Sequence, residues 1–209
     1  MVIPVFPVIL ATALVIYFAI GIHEYCHAKF ADMAGDPTPR TFGRVTLNLT
    51  KHFELWGTVM IAFTSLTGVG IGWGRPVPMD PSKMRNPKWD HFVAVIAGPA
   101  SNFLQACLYA IILRVGLKSS PVISQAFGMY FDPVGDPARA DIVFALGAVP
   151  TFLVAFLTLG VMINLALCIF NLFPIGPLDG MWIAGTFMSP QVRHQWTRFN
   201  LQYGIMIFI

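Results

Sequence analysis

The hydrophobic pattern divides the chain into long apolar runs separated by short polar, proline-rich or basic stretches. Residues 2–22 are 21 consecutive uncharged side chains, enough to cross the roughly 30 Å hydrocarbon layer of a bilayer as a helix. Pro4 and Pro7 suit its first turn, where a missing N–H costs little. The helix is expected to run on through Lys29 to about Met33, with Gly35-Asp36-Pro37 stopping it. Within the polar stretch 36–56, Arg44–Thr50 alternates as a short strand does. Residues 55–74 are apolar but hold five glycines and three threonines, which predicts a poor helix beyond Leu66. A proline-rich loop, Gly74-Arg-Pro-Val-Pro-Met-Asp-Pro81, and a basic segment with Lys83, Arg85 and Lys88 follow.

A further span is predicted from Phe92 to about Leu113, ended by Arg114 and kinked or polar at Gly98-Pro99-Ala100-Ser101-Asn102. Residues 115–140, with Pro121, Pro133 and Pro137, read as a loop. The apolar run 142–173 exceeds one span, so it needs tilt or an unwound end. A short apolar segment, 181–188, a polar stretch with Arg193 and Arg198, and a last apolar run, 199–209, complete the chain.

Composition supports this reading. Of 209 residues 56% are hydrophobic and 11% charged, and mean hydropathy is +0.69. Soluble domains carry about 25% charged residues, so this is a membrane-protein composition. A net charge of +3 gives no ground for nucleic-acid binding. The N-terminal run lacks a basic leader and a small-residue cleavage site, and is expected to be a retained span. Cys26, Cys107 and Cys168 lack CxxC spacing and read as small buried hydrophobes.

Charge then orders the spans. Four basic residues (Lys29, Arg40, Arg44, Lys51) precede the 55–74 segment and four (Arg75, Lys83, Arg85, Lys88) follow it. A single crossing would divide them equally. A re-entrant or short helical hairpin would keep all eight on one face, as the positive-inside rule prefers. The expected topology puts the N-terminus outside, residues 29–90 and 174–198 at the cytoplasmic face, and 115–140 outside. The fold class expected is an all-α polytopic membrane protein of about four to six transmembrane helices. Its re-entrant or β-hairpin segment lies between the first two core helices, and residues 1–209 form a single membrane-embedded domain.

The chemistry concentrates at His23-Glu24-Tyr25-Cys26-His27. On a helix, His23 and His27 stand one turn apart and can grip one metal ion, while Glu24 is placed to poise a water. Two histidines leave a zinc ion incompletely held, since catalytic sites supply three protein ligands. From residue 142 onward the single carboxylate is Asp179, set in apolar sequence. It is either a metal ligand or the cap of a helix starting at Gly180. His52, His91 and His194 lie in polar, basic surroundings and read as surface or interfacial histidines.

Three motifs, His23-Glu-Tyr-Cys-His27, Gly98-Pro-Ala-Ser-Asn102 and Asn171-Leu-Phe-Pro-Ile-Gly-Pro-Leu-Asp179-Gly180, resemble the signature set of the site-2 protease family of intramembrane zinc metallopeptidases. The Gly35-Asp-Pro and Gly74-Arg-Pro-Val-Pro stretches resemble a compact bacterial branch of it, and no PDZ or CBS-type domain is expected within these residues. The resemblance implies one zinc ion held by His23, His27 and Asp179, Glu24 as general base, and Asn171 or Asn102 near the scissile peptide. For both asparagines, interhelical hydrogen bonding is an equal alternative. The implied substrate is a transmembrane protein or peptide, cut in or beside its span in a bacterial cell membrane. Val45–Leu49 or the glycine-rich 55–74 segment would then offer the unwound substrate a strand edge. Competing readings are a membrane metal-ion transporter, for which no internal repeat is visible, and a non-catalytic metal-binding adaptor.

Overall fold

The computed structural model describes residues 6–67, 73–131 and 147–207. Its longer helices are α1 (Phe6–Met33), α3 (Leu55–Thr67), α4 (Trp89–Ser119), α5 (Pro121–Phe131), α6 (Ala148–Asn171), α7 (Asp179–Thr186) and α8 (Pro190–Tyr203), with α2 (Thr38–Thr41) a single turn. Three of them, α1, α4 and α6, are long and apolar enough to cross a membrane, and α3 is a shorter apolar helix. No strand occurs among the described residues. The chain is an all-helical polytopic membrane protein.

The described residues fall into two compact units, each containing parts of the long helices. The first comprises the described parts of Met1–Ala19, Leu55–Trp73 and Leu104–Asn164. Here Gly160 lets α6 close onto the Tyr109 ring, where a Cβ would meet ring carbons at 2.6 Å. Tyr109 in turn meets Phe156 edge-on at 5.4 Å. A Cβ at Gly57 would overlap the Trp73 carbonyl, so α3 begins against the residue at which the chain comes back.

The second unit comprises Ile20–Glu54, Gly74–Phe103 and the described part of Leu165–Ile209. Its core is built on small side chains: Ala31, Ala34 and Ala94 are buried with Met84, which lets the α1 and α4 backbones approach closely. Beyond α1, Gly35 adopts φ 107°, and the fully buried Asp36 accepts from Thr38 N at 2.9 Å and Asp80 N at 2.6 Å. Arg85 donates from its backbone to Ala34 O and from its guanidinium to Met33 O. The Gly-Asp-Pro stop is therefore a junction that ties the end of α1 to the 80–85 loop.

Both flanks of the 55–74 excursion lie in this unit and meet, Arg75 N donating to His52 O at 2.7 Å. The segment leaves and returns to one place, as a re-entrant hairpin does. Its helix ends at Thr67, close to the expected limit of Leu66, and residues 68–72 lie outside the described ones.

Several expectations are corrected. Arg44–Thr50 is not a strand: it is a run of bends entering a 3-10 turn at Leu49–His52. Thr46 N bonds back to Arg44 O, Asn48 N to Thr46 Oγ1, and the buried Arg44 reaches Lys51 O at 2.6 Å. Local side-chain bonds of this kind compete with a ladder. His52 is fully buried, its Nε2 3.1 Å from Thr46 O, not a surface residue, and burial holds its imidazole below the usual value. His91 is half-buried against the Trp182 ring, and His194 is exposed.

Residues 115–119 and 121–131 are helical rather than loop. The span α4 extends to Ser119, and Pro121 occupies the first turn of α5, the position where proline is tolerated. Residues 132–140 of the expected loop lie outside the described ones. The polar stretch at 190–198 and the start of the last apolar run form one helix, α8. Cys107 is exposed, and Cys26 and Cys168 are partly so.

Candidate metal centre

The site lies within the second unit and draws on α1, α4 and α7. The helical period of α1 stacks His23 over His27, with ring centroids 4.6 Å apart and planes nearly perpendicular. Both are buried, at 7% and 4% exposure. Asp179 is the first residue of α7, with Leu178 as the N-cap. Its carboxylate does not cap the helix; it turns to the histidines. Oδ2 stands 3.2 Å from His23 Nε2 and 3.4 Å from His27 Nε2, and the two Nε2 atoms are 3.0 Å apart.

The outer nitrogens explain the inner ones. His27 Nδ1 lies 2.9 Å from the Ala94 carbonyl, which can only accept, so Nδ1 carries the proton. His23 Nδ1 lies 2.6 Å from Asn102 Oδ1, and it too donates. Both rings are thereby set with Nε2 as a lone-pair donor aimed inward, the arrangement a metal ligand requires. Asp179 Oδ2 is buried and accepts no hydrogen bond. Three electron-pair donors thus converge on one another, which is costly unless a cation sits among them. Two imidazoles and one carboxylate form a donor set suited to zinc.

Two glycines make room for this. A Cβ at Gly98 of α4 would overlap His27 Cε1 and Nε2 and come within 2.7 Å of His23 Cε1. A Cβ at Gly74 would stand 2.9 Å from Glu24 Cγ and 3.0 Å from its Oε1. Glu24 is thus packed against the main chain at Gly74.

Across residues 11–209 the chain matches the model of peptidase family M50. The chain belongs to family M50, the site-2 protease family. It is 32% identical over 206 residues to the Bacillus subtilis (strain 168) protein named "Putative zinc metalloprotease YwhC", covering 98% of this chain and 81% of that protein. No solved structure matches. As an M50 member the chain is a membrane zinc metalloprotease, and the donor set above is one that could hold the ion.

The structure brings together His23, His27 and Asp179 and sets Asn102 against His23. Asn171, at the end of α6, instead donates from Nδ2 to Leu167 O at 3.0 Å. Sequence reasoning missed the contributions of the Ala94 carbonyl, Gly98 and Gly74. The two glycines carried a signal, since each opens a motif already singled out. A backbone carbonyl carries none.

Proposed function

We propose that this M50 peptidase hydrolyses peptide bonds within or beside transmembrane segments, with His23, His27 and Asp179 holding the zinc ion and Glu24 as general base. The observation that carries the reading is the convergence of two imidazole nitrogens and a carboxylate oxygen, with the histidines on a helix long enough to span a bilayer.

When bound, zinc supplies Lewis-acid polarisation of the scissile carbonyl and brings the pKa of a water toward about 7. Glu24 accepts the proton of the attacking water and delivers it to the leaving amine. Asn102 and the Ala94 carbonyl keep the His23 and His27 rings in the ligating tautomer throughout. Asn171, whose carboxamide has two N–H groups, directs one to Leu167 O and is proposed to offer the other to the developing oxyanion. A substrate helix satisfies its own backbone inside the membrane, so it must unwind locally before attack.

The proposed orientation places the site toward the cytoplasmic side of a bacterial cell membrane. Its support is that the eight basic residues flanking the re-entrant excursion, four before it and four after it, share one face when the segment returns.

The test compares wild type with Glu24→Gln for bound zinc and for cleavage of a membrane-protein substrate. Zinc retained with cleavage lost is the expected result. Undiminished cleavage by Glu24→Gln would remove Glu24 as the base.

A further inference from the structure

Asp179 sits on a helix of only eight residues, α7, and so short a helix has little stability of its own. Something outside it must fix the carboxylate. The backbone around Asp179 is gripped at three places by side chains of one helix, α8. Asn200 Oδ1 accepts from Gly176 N at 2.7 Å, three residues before Asp179. Trp196 Nε1 donates to Met181 O at 2.9 Å, two residues after it. Arg193 donates from Nε to Gly185 O at 2.8 Å and from Nη2 to Thr186 O at 3.3 Å, satisfying carbonyls at the α7 C-terminus.

Residues 193, 196 and 200 recur at helical spacing and share one face of α8. That face is internally braced, since Asn200 Nδ2 donates to Trp196 O at 3.0 Å, and Asn200 is 3% exposed. Gly204, just past α8, packs so closely that a Cβ there would overlap the Gly176 carbonyl. From the other side, Gly180 abuts the carbonyls of Leu172 and Phe173, where a Cβ would also overlap. The segment 176–186 is therefore held at both ends, and Asp179 has no freedom to drift from the two histidines.

We infer that α8 is a splint for the third metal ligand: Arg193, Trp196 and Asn200 are positioning residues that hold Asp179 in ligating geometry. This rests on the reading of Asp179 as a zinc ligand. Partners that orient a ligand typically contribute 10- to 100-fold in metal affinity, and here the oriented object is a backbone segment rather than a ring. Trp196→Phe removes the indole N–H while keeping an aromatic ring in the packed position. Asn200→Leu removes the acceptor for Gly176 and the brace to Trp196.

The experiment is a double-mutant cycle on the full chain in detergent, reading the rate of zinc release to a chelator. Asp179→Ala is first compared with wild type; unchanged release would sink the ligand reading itself. Given faster release there, Trp196→Phe and Asn200→Leu in the wild-type background are expected to speed release about 10-fold. In the Asp179→Ala background the same substitutions are expected to change it less than about 2-fold, because their effect passes through Asp179. No acceleration in the wild-type background, or equal acceleration in both, overturns the splint. If Asn200→Leu does not fold, Trp196→Phe decides alone.

Discussion

Asn102 and His23, 79 residues apart in sequence, meet at 2.6 Å through the carboxamide oxygen and Nδ1. The contact joins α4 to α1 and decides which imidazole nitrogen faces Asp179. It gives Asn102 an immediate partner that is a proposed metal ligand, and the role proposed for it is to set that ring's tautomer.

Asn102→Leu is therefore expected to weaken zinc binding by about 10-fold or more and to lower cleavage with it. Competition with a chromogenic chelator measures the first. Nitrogen chemical shifts of labelled histidine, recorded on the zinc-free protein, should show His23 losing its Nδ1–H preference while His27, held by Ala94 O, keeps its own.

Gly98 tests how tightly α4 must approach. Gly98→Ala places a methyl where the His27 and His23 rings lie, and is expected to displace at least one imidazole. Metal analysis of the purified protein should find bound zinc reduced to a minor fraction. Gly128→Ala in α5, where a Cβ meets nothing within 4 Å, should leave zinc unchanged and stabilise slightly, by about 0.5–1 kcal/mol.

The Asp36 junction is a matter of stability rather than chemistry. Both its oxygens accept backbone N–H groups, and the residue is fully buried. Asp36→Asn turns one acceptor into a donor facing a donor, at a cost of about 1–3 kcal/mol. Thermal unfolding in detergent should show a lowered midpoint, with the zinc content of the folded fraction intact.

Stripping the metal should abolish cleavage reversibly, with zinc restoring it. It should also lower thermal stability, since a ligand present at 100 times its Kd adds about 2.7 kcal/mol. The Asp179→Ala variant should show a much smaller shift between zinc-loaded and chelated samples.

Much of the site was legible along the chain. Two candidate ligands could be read from spacing alone, because a four-residue interval on any helix puts two side chains on one face. Asp179 stood out because a solitary carboxylate in apolar sequence requires a partner. The glycine content of 55–74 and the charge on its flanks pointed to an excursion that returns, and His52 and Arg75 do meet.

Other features could not be read so. Val45, Leu47 and Leu49 alternate as a strand does, yet a strand needs a neighbour to pair with, and Thr46, Asn48 and Arg44 satisfied the backbone locally instead. Pro121 looked like a breaker, but at a helix start its missing N–H is not needed. His52 stood beside Lys51 in a polar stretch and still became fully buried, because burial depends on what folds over a residue and not on its sequence neighbours.

The sequence by itself determined the membrane class, the apolar helices and the identity of the converging donors, since hydropathy and helical periodicity are local properties that no later packing can undo. Tertiary structure alone decided which nitrogen of each histidine is free, that Gly98 must lack a side chain, and that Asn102 turns to His23. Those depend on atoms from α1, α4 and α7 arriving within about 3 Å of one another, a relation that no single segment contains.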